Sequence, residues 1–117
     1  MHILIISTLP DREIMRFENI NIRYILASAL SHNAIMVDVR TPDKFRKGHI
    51  PMSVNLPLSD IQNNKVSFPK NRTLIVYCDN GGSSMQAARL LSDMGYEVIN
   101  CIGGIKNYKG ALTKNQG

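Results

Sequence analysis

Cys78 closes the apolar run Leu74-Ile75-Val76-Tyr77 and opens the stretch Asp79-Asn80-Gly81-Gly82-Ser83-Ser84. A cysteine in that place is a candidate nucleophile, because the thiolate, not the thiol, is the reactive form, and this setting favours an anion. The run before it is short, continuously apolar and rich in β-branched and aromatic side chains, which suits a central strand covered on both faces. After it, Met85, Ala87, Ala88, Leu90, Leu91 and Met94 recur at helical spacing, with Gly95 as the C-terminal cap. The loop therefore joins the carboxyl end of a strand to the amino end of a helix. Unpaired N–H groups and the positive end of the helix dipole at such a junction lower the free energy of a thiolate or of any negatively charged sulfur. Gly81 and Gly82 let the backbone curl with its N–H groups inward, as in anion-binding nests.

A cysteine that ends a strand is in general more often a small buried hydrophobe than a nucleophile. Here the glycine-bearing loop and the helix behind it favour the reactive reading. Gly81-Gly82 without a following Lys is not a nucleotide-binding loop. The second cysteine, Cys101, ends a later strand and reads as core. An alternative makes it a resolving thiol, provided that its strand lies beside that of Cys78 and the Cα atoms approach within about 7 Å. His2, His32 and His49 stand at no metal-ligand spacing with either cysteine, so no metal and no other cofactor is expected. The methionines on apolar faces, Met36, Met85 and Met94 among them, read as core filler.

The elements that must position Cys78 follow from the pattern of the rest. Residues 20–31 place Ile22, Ile25, Leu26 and Ala29 on one side of a helix. Residues 34–39 form a second buried strand. Thr41 is placed to cap a short helix over residues 42–47 with Pro42 at its first position and Gly48 closing it. A brief strand over residues 53–56 lies between Pro51 and Pro57, and a helical turn over residues 58–62 precedes a polar surface loop. The last strand covers residues 96–101, and Gly103-Gly104 opens a short segment to Tyr108. Strands that alternate with helices, each strand apolar throughout, indicate an α/β fold with a central parallel sheet of about five strands and helices on both faces. In such sheets ligands gather outside the carboxyl ends of the strands, where Cys78 falls.

The length allows one domain with one core, and 44% apolar residues is ordinary for a globular chain. Residues 1–19 read as an N-terminal arm, with its apolar opening as an added edge strand, and residues 20–117 as the domain. That opening run is too short to span a bilayer and lacks the basic start and cleavage site of a secretory signal, so a cytoplasmic protein with no membrane association is expected. The net charge of +5 is spread along the chain. Four Tyr, three Phe and no Trp provide no basic stripe interleaved with aromatics, so nucleic acid is not an expected partner.

Several separate motifs, taken in order, resemble a small single-domain rhodanese. They are Val37-Asp38-Val39-Arg40-Thr41-Pro42, then Phe45, Gly48-His49-Ile50-Pro51 and Asn55-Leu56-Pro57, then Tyr77-Cys78 with Gly81 and Ser84, then Gly95-Tyr96 and Gly103-Gly104-Ile105. The resemblance covers roughly residues 20–110. It implies sulfur transfer through a persulfide on Cys78, from a small anionic donor such as thiosulfate to cyanide, a thiol or a protein acceptor. Asp79, Asn80, Gly81, Gly82, Ser83 and Ser84 match the loop that surrounds the outer sulfur. Asp38 and Arg40 match a strand-end pair with a structural role, and His49 and Asn55 fall on family landmarks without a catalytic one. Many members carry a basic residue near the position of Ser83, whereas this loop has no Arg or Lys and adds Asp79. Attraction for dianionic thiosulfate is therefore expected to be weaker than for a less charged persulfide donor. The alternative is a weakly catalytic or non-catalytic module that carries a persulfide or binds a partner. The related Cys-x5-Arg phosphatases need an arginine six positions after the cysteine, where this chain has Ser84.

Overall fold

The structure, a computed structural model, describes residues 17–114. Five strands, β1 (Glu18–Asn21), β2 (Ile35–Asp38), β3 (Val54–Asn55), β4 (Leu74–Tyr77) and β5 (Val98–Ile102), form one sheet in the order β1-β5-β4-β2-β3. Every pairing is parallel. The helices are α1 (Ile25–His32), α2 (Pro42–Lys47), α3 (Leu58–Gln62) and α4 (Gly82–Asp93), with 3-10 turns at Ile22–Tyr24 and Ile105–Asn107.

Alternation along the strands splits the core in two. On one face Val37, Leu74, Val76, Cys78 and Val98 pack with Ile61 of α3 and Ala87, Ala88 and Leu91 of α4. On the other, Met36, Ile75, Tyr77, Ile99 and Cys101 pack with Ile22, Ile25 of α1 and Ile50. The expected α/β sheet with helices on both faces is therefore present. β4 lies at its centre, hydrogen-bonded to both β5 and β2, which explains why its four residues are buried on both sides.

Several boundaries differ from expectation, each for a local reason. The segment read as a helix over residues 20–31 begins as strand β1, since Ile20 and its neighbours pair with Cys101 and the rest of β5. The helix proper starts at Ile25, and Leu26, expected on its buried side, is exposed. The third strand is shorter than residues 53–56 because only Val54 and Asn55 meet β2. The last strand runs Val98–Ile102 instead of 96–101. Thr41 stands at the N-cap of α2, but its side chain makes no capping hydrogen bond; its carbonyl instead receives the Phe45 N–H at 3.1 Å. The edge strand expected of the apolar opening falls outside the described residues.

Two motifs of the chain fasten the ends of these elements. The Asp38 carboxylate, fully buried, accepts from the Arg40 main-chain N–H at 2.9 Å and from Arg40 Nε and NH2 at 2.7–3.1 Å. Asn55 Nδ2 donates to the carbonyls of Asp38 and Arg40 at 2.9 and 3.0 Å, which ties β3 to the turn after β2. His49 stacks on Phe45 with ring centroids 3.7 Å apart and bonds the Phe45 carbonyl through Nδ1. These contacts account for the four landmarks as scaffolding.

Candidate functional site

The loop after β4 turns through Gly81, whose φ of +112° belongs to a region that side chains with a Cβ rarely enter. That turn brings two main-chain N–H groups onto the sulfur of Cys78. Gly81 donates to Sγ at 3.1 Å and Ser84 at 3.3 Å. Ser84 is itself buried, its hydroxyl donating to the Gly81 carbonyl at 3.2 Å, which locks the first turn of α4 against the loop. The Gly82 N–H turns instead to Asn80 Oδ1 at 3.4 Å. Two of the loop amides thus converge on Sγ from the start of a twelve-residue helix, where the dipole also favours negative charge.

From below, the loop rests on the segment after β5. The Ile105 N–H donates to the Cys78 carbonyl at 2.8 Å and the Lys106 N–H to the Asp79 carbonyl at 3.3 Å. Gly104 permits this approach: at φ +67° a Cβ there would overlap the Asp79 carbonyl and the Asn80 nitrogen.

Cys78 is only 2% exposed, yet it lies on the wall of a cavity of about 510 Å³. Asp79, Asn80 and Ser83 of the loop line the same cavity, opposite Val39, Arg40, Thr41 and Lys44 and beside Pro57, Leu58, Ser59 and Gln62. Cys78 therefore borders a space that a small molecule can enter, with two hydrogen-bond donors on its sulfur.

Two cationic residues of the cavity were not foreseen as such. Lys44 Nζ donates to Asp79 Oδ2 at 2.5 Å, and Arg40 NH1 lies 3.7 Å from Asp79 Oδ1. The carboxylate expected to stand uncompensated beside the thiol is thus paired, and the cations missing from the loop arrive from the turn after β2 and from α2. Burial acts to lower the pKa of Arg40, but its hydrogen bond to Asp38 and the charges of Asp38, Tyr77 and Asp79 together raise it. The carboxyl ends of neighbouring parallel strands share a crevice, so with β2 beside β4 the residues just after β2 face the loop after β4; that adjacency is not written in the sequence, which is why Lys44 escaped it.

Cys101 occupies the opposite face of the sheet, fully buried in the cluster of Ile75, Tyr77 and Ile99. Both cysteines are free thiols. Burial, with the charge of Cys78 as the lesser cause, pushes the Cys101 thiol up to about 12. Its strand lies beside that of Cys78, as the resolving-thiol alternative required, but its side chain packs on the other face of the sheet and does not line the cavity. Among the described residues no cluster of His, Cys, Asp and Glu is arranged to hold a metal ion. No described helix is long and apolar enough to cross a membrane.

The model of the rhodanese-like domain matches residues 24–111. The chain belongs to the rhodanese-like domain family. This rhodanese-like chain is 37% identical over 83 residues to the thiosulfate sulfurtransferase PspE of Escherichia coli (strain K12), an alignment that covers 69% of this chain and 78% of that one. It is also 37% identical over 76 residues to a sulfurtransferase of Allochromatium vinosum, covering 64% and 71% of the two chains. Among solved structures, a rhodanese-like domain protein from Staphylococcus aureus superposes with a TM-score of 0.73 at 26% identity, over 86% of this chain and 100% of that one. Family and relatives together point to sulfur transfer in general, with a donor and an acceptor of sulfur as partners.

Proposed function

We propose that this rhodanese-like protein is a sulfurtransferase that carries sulfane sulfur as a persulfide on Cys78. The observation that carries the proposal is the pair of N–H groups from Gly81 and Ser84 on Sγ, within a cavity open to a small donor.

The chemistry is two displacements at sulfur. The Cys78 thiolate attacks the outer sulfur of thiosulfate. The bond between that sulfur and the sulfonate breaks, sulfite departs with the electron pair, and a Cys78 persulfide anion remains. Cyanide or a thiolate then attacks the terminal sulfur, the Sγ–S bond breaks, and the Cys78 thiolate is restored as thiocyanate or a new persulfide leaves. Neither step requires a proton relay. Each moves negative charge between sulfurs held near the same loop, so fixed main-chain dipoles act throughout. A well-placed N–H donor facing a developing anion contributes about 10²-fold in rate. With thiosulfate and cyanide, the wild type and Cys101→Ser are expected to form thiocyanate, and Cys78→Ser to form none. Thiocyanate from Cys78→Ser would refute the assignment. Sulfur uptake by the wild type without turnover would instead favour the carrier reading, in which the protein delivers its persulfide to a partner.

A further inference from the structure

The loop after Cys78 holds no Lys or Arg, so any cation that binds an anionic donor must come from elsewhere in the fold. Among the described residues, Arg40 and Lys44 are the cations that line the cavity, and they are held in different ways. Arg40 is fixed. Its Nε and NH2 are committed to Asp38, NH2 also reaches the Gly48 carbonyl at 2.7 Å, and its side chain is 8% exposed. Its remaining nitrogen, NH1, has the Asp79 carboxylate at 3.7 Å, beyond hydrogen-bonding distance. Lys44, by contrast, is 56% exposed and reaches across from α2 to the same carboxylate.

The Asp79 carboxylate thus sits between two cationic groups, in the cavity where an anionic donor has to be held. The formal charges of Asp38, Arg40, Lys44 and Asp79 cancel, so this rim exerts no net attraction while Asp79 stays in place. Ion pairs as exposed as that of Lys44 and Asp79 contribute only about 0.2–1 kcal/mol. A dianion that meets both cations at once can displace such a partner.

We propose that Asp79 is a resident counterion that selects the donor by its charge. The anionic end of the donor binds Arg40 NH1 and Lys44 Nζ in the place that the Asp79 carboxylate holds in the free protein. Competition and repulsion from Asp79 weigh most on dianions and least on uncharged or singly charged donors. This deepens the reading of Cys78 as the sulfur carrier, since it names the charge class of donor for that residue; the exchange of anions itself is independent of turnover.

The test uses inorganic sulfate as an unreactive dianion, with its affinity for the full chain followed by backbone amide NMR shifts in wild type, Asp79→Asn and Lys44→Gln. The expected result is shifts centred on residues 40–44 and 79–84, affinity about two- to fivefold higher in Asp79→Asn, and lower by a similar factor in Lys44→Gln. The amide spectrum also reports whether each variant is folded. In turnover, the ratio of kcat/KM for thiosulfate to that for singly charged methanethiosulfonate, which passes its outer sulfur to Cys78 and departs as methanesulfinate, is expected to rise in Asp79→Asn and fall in Lys44→Gln, with KM carrying the change. Equal sulfate affinity in the three proteins, weaker binding by Asp79→Asn, or no sulfate shifts at this site would overturn the proposal. Sulfate affinities in the expected order, without sulfur transfer by any of the proteins, would uphold charge selection and refute the role of Cys78.

Discussion

The two thiols of this chain sit in opposite electrostatic situations. Cys78 receives two main-chain N–H bonds at the wall of a cavity, whereas Cys101 is enclosed by hydrocarbon on the far face of the sheet. Iodoacetamide at pH 8 is accordingly expected to label Cys78 in the folded protein and to leave Cys101 unlabelled until denaturant is added, as peptide mass analysis would show. Labelling of both at equal rates would contradict this placement. The raised value of Cys101 also fixes a sign for alkaline stability. A thiol that loses its proton near about pH 8.5 in the unfolded chain and near about 12 in the folded one binds that proton more tightly when folded. Its contribution is whole below pH 8.5 and is lost as the pH rises through 12. Cys101→Ala is expected to show a shallower fall of stability across that window than wild type, measured by urea unfolding; parallel curves would contradict it. The placement of Cys78 in a loop between a strand and a helix was legible because a strand, a cysteine, two glycines and a helix stand in order. Lys44 was not, because a lysine on a short polar helix has the same appearance in sequence whether it meets solvent or a carboxylate 35 positions away.

At the scale of elements, the site depends on how closely the segment after β5 supports the loop after β4. Gly104→Ala would place a methyl group against the Asp79 carbonyl in a backbone conformation that costs about 1–3 kcal/mol for residues with a Cβ. The expected outcome is a loss of stability of at least that order in urea unfolding, together with a loss of sulfur transfer, because the two amides on Sγ belong to the displaced loop. Unchanged stability and rate would show that the two segments are independent. The bounds of β4, α2 and α3 were readable to the residue: β4 is apolar throughout, and prolines introduce both short helices. β1 was not readable. Its sequence Glu18-Asn19-Ile20-Asn21 is mostly polar because an edge strand is paired on one side and exposed on the other, and its strand character comes from β5, about 80 positions later.

For the whole molecule, the order β1-β5-β4-β2-β3 places the strand that leads into Cys78 next to the strand that leads into Arg40. Parallel strands end on one side, and so the cavity gathers residues from three stretches of chain that the sequence keeps apart. A parallel α/β sheet was legible from the alternation of strands and helices. The order of the strands was not, since it is set by pairing between distant segments, and the charge balance of the cavity depends on that order. The net charge of +5 provides only a general attraction for anions, while the charged rim beside Cys78 is locally balanced. A persulfide carrier of this kind takes up one sulfur atom, and takes it up on Cys78. Trypsin separates the two cysteines, since cleavage after Arg72, Arg89 and Lys106 puts Cys78 and Cys101 on different peptides. After exposure of the wild-type protein to thiosulfate or a polysulfide, mass spectrometry of these peptides under non-reducing conditions is expected to find one added sulfur on the Cys78 peptide; an unmodified Cys78 peptide, or sulfur on the Cys101 peptide instead, would contradict the account.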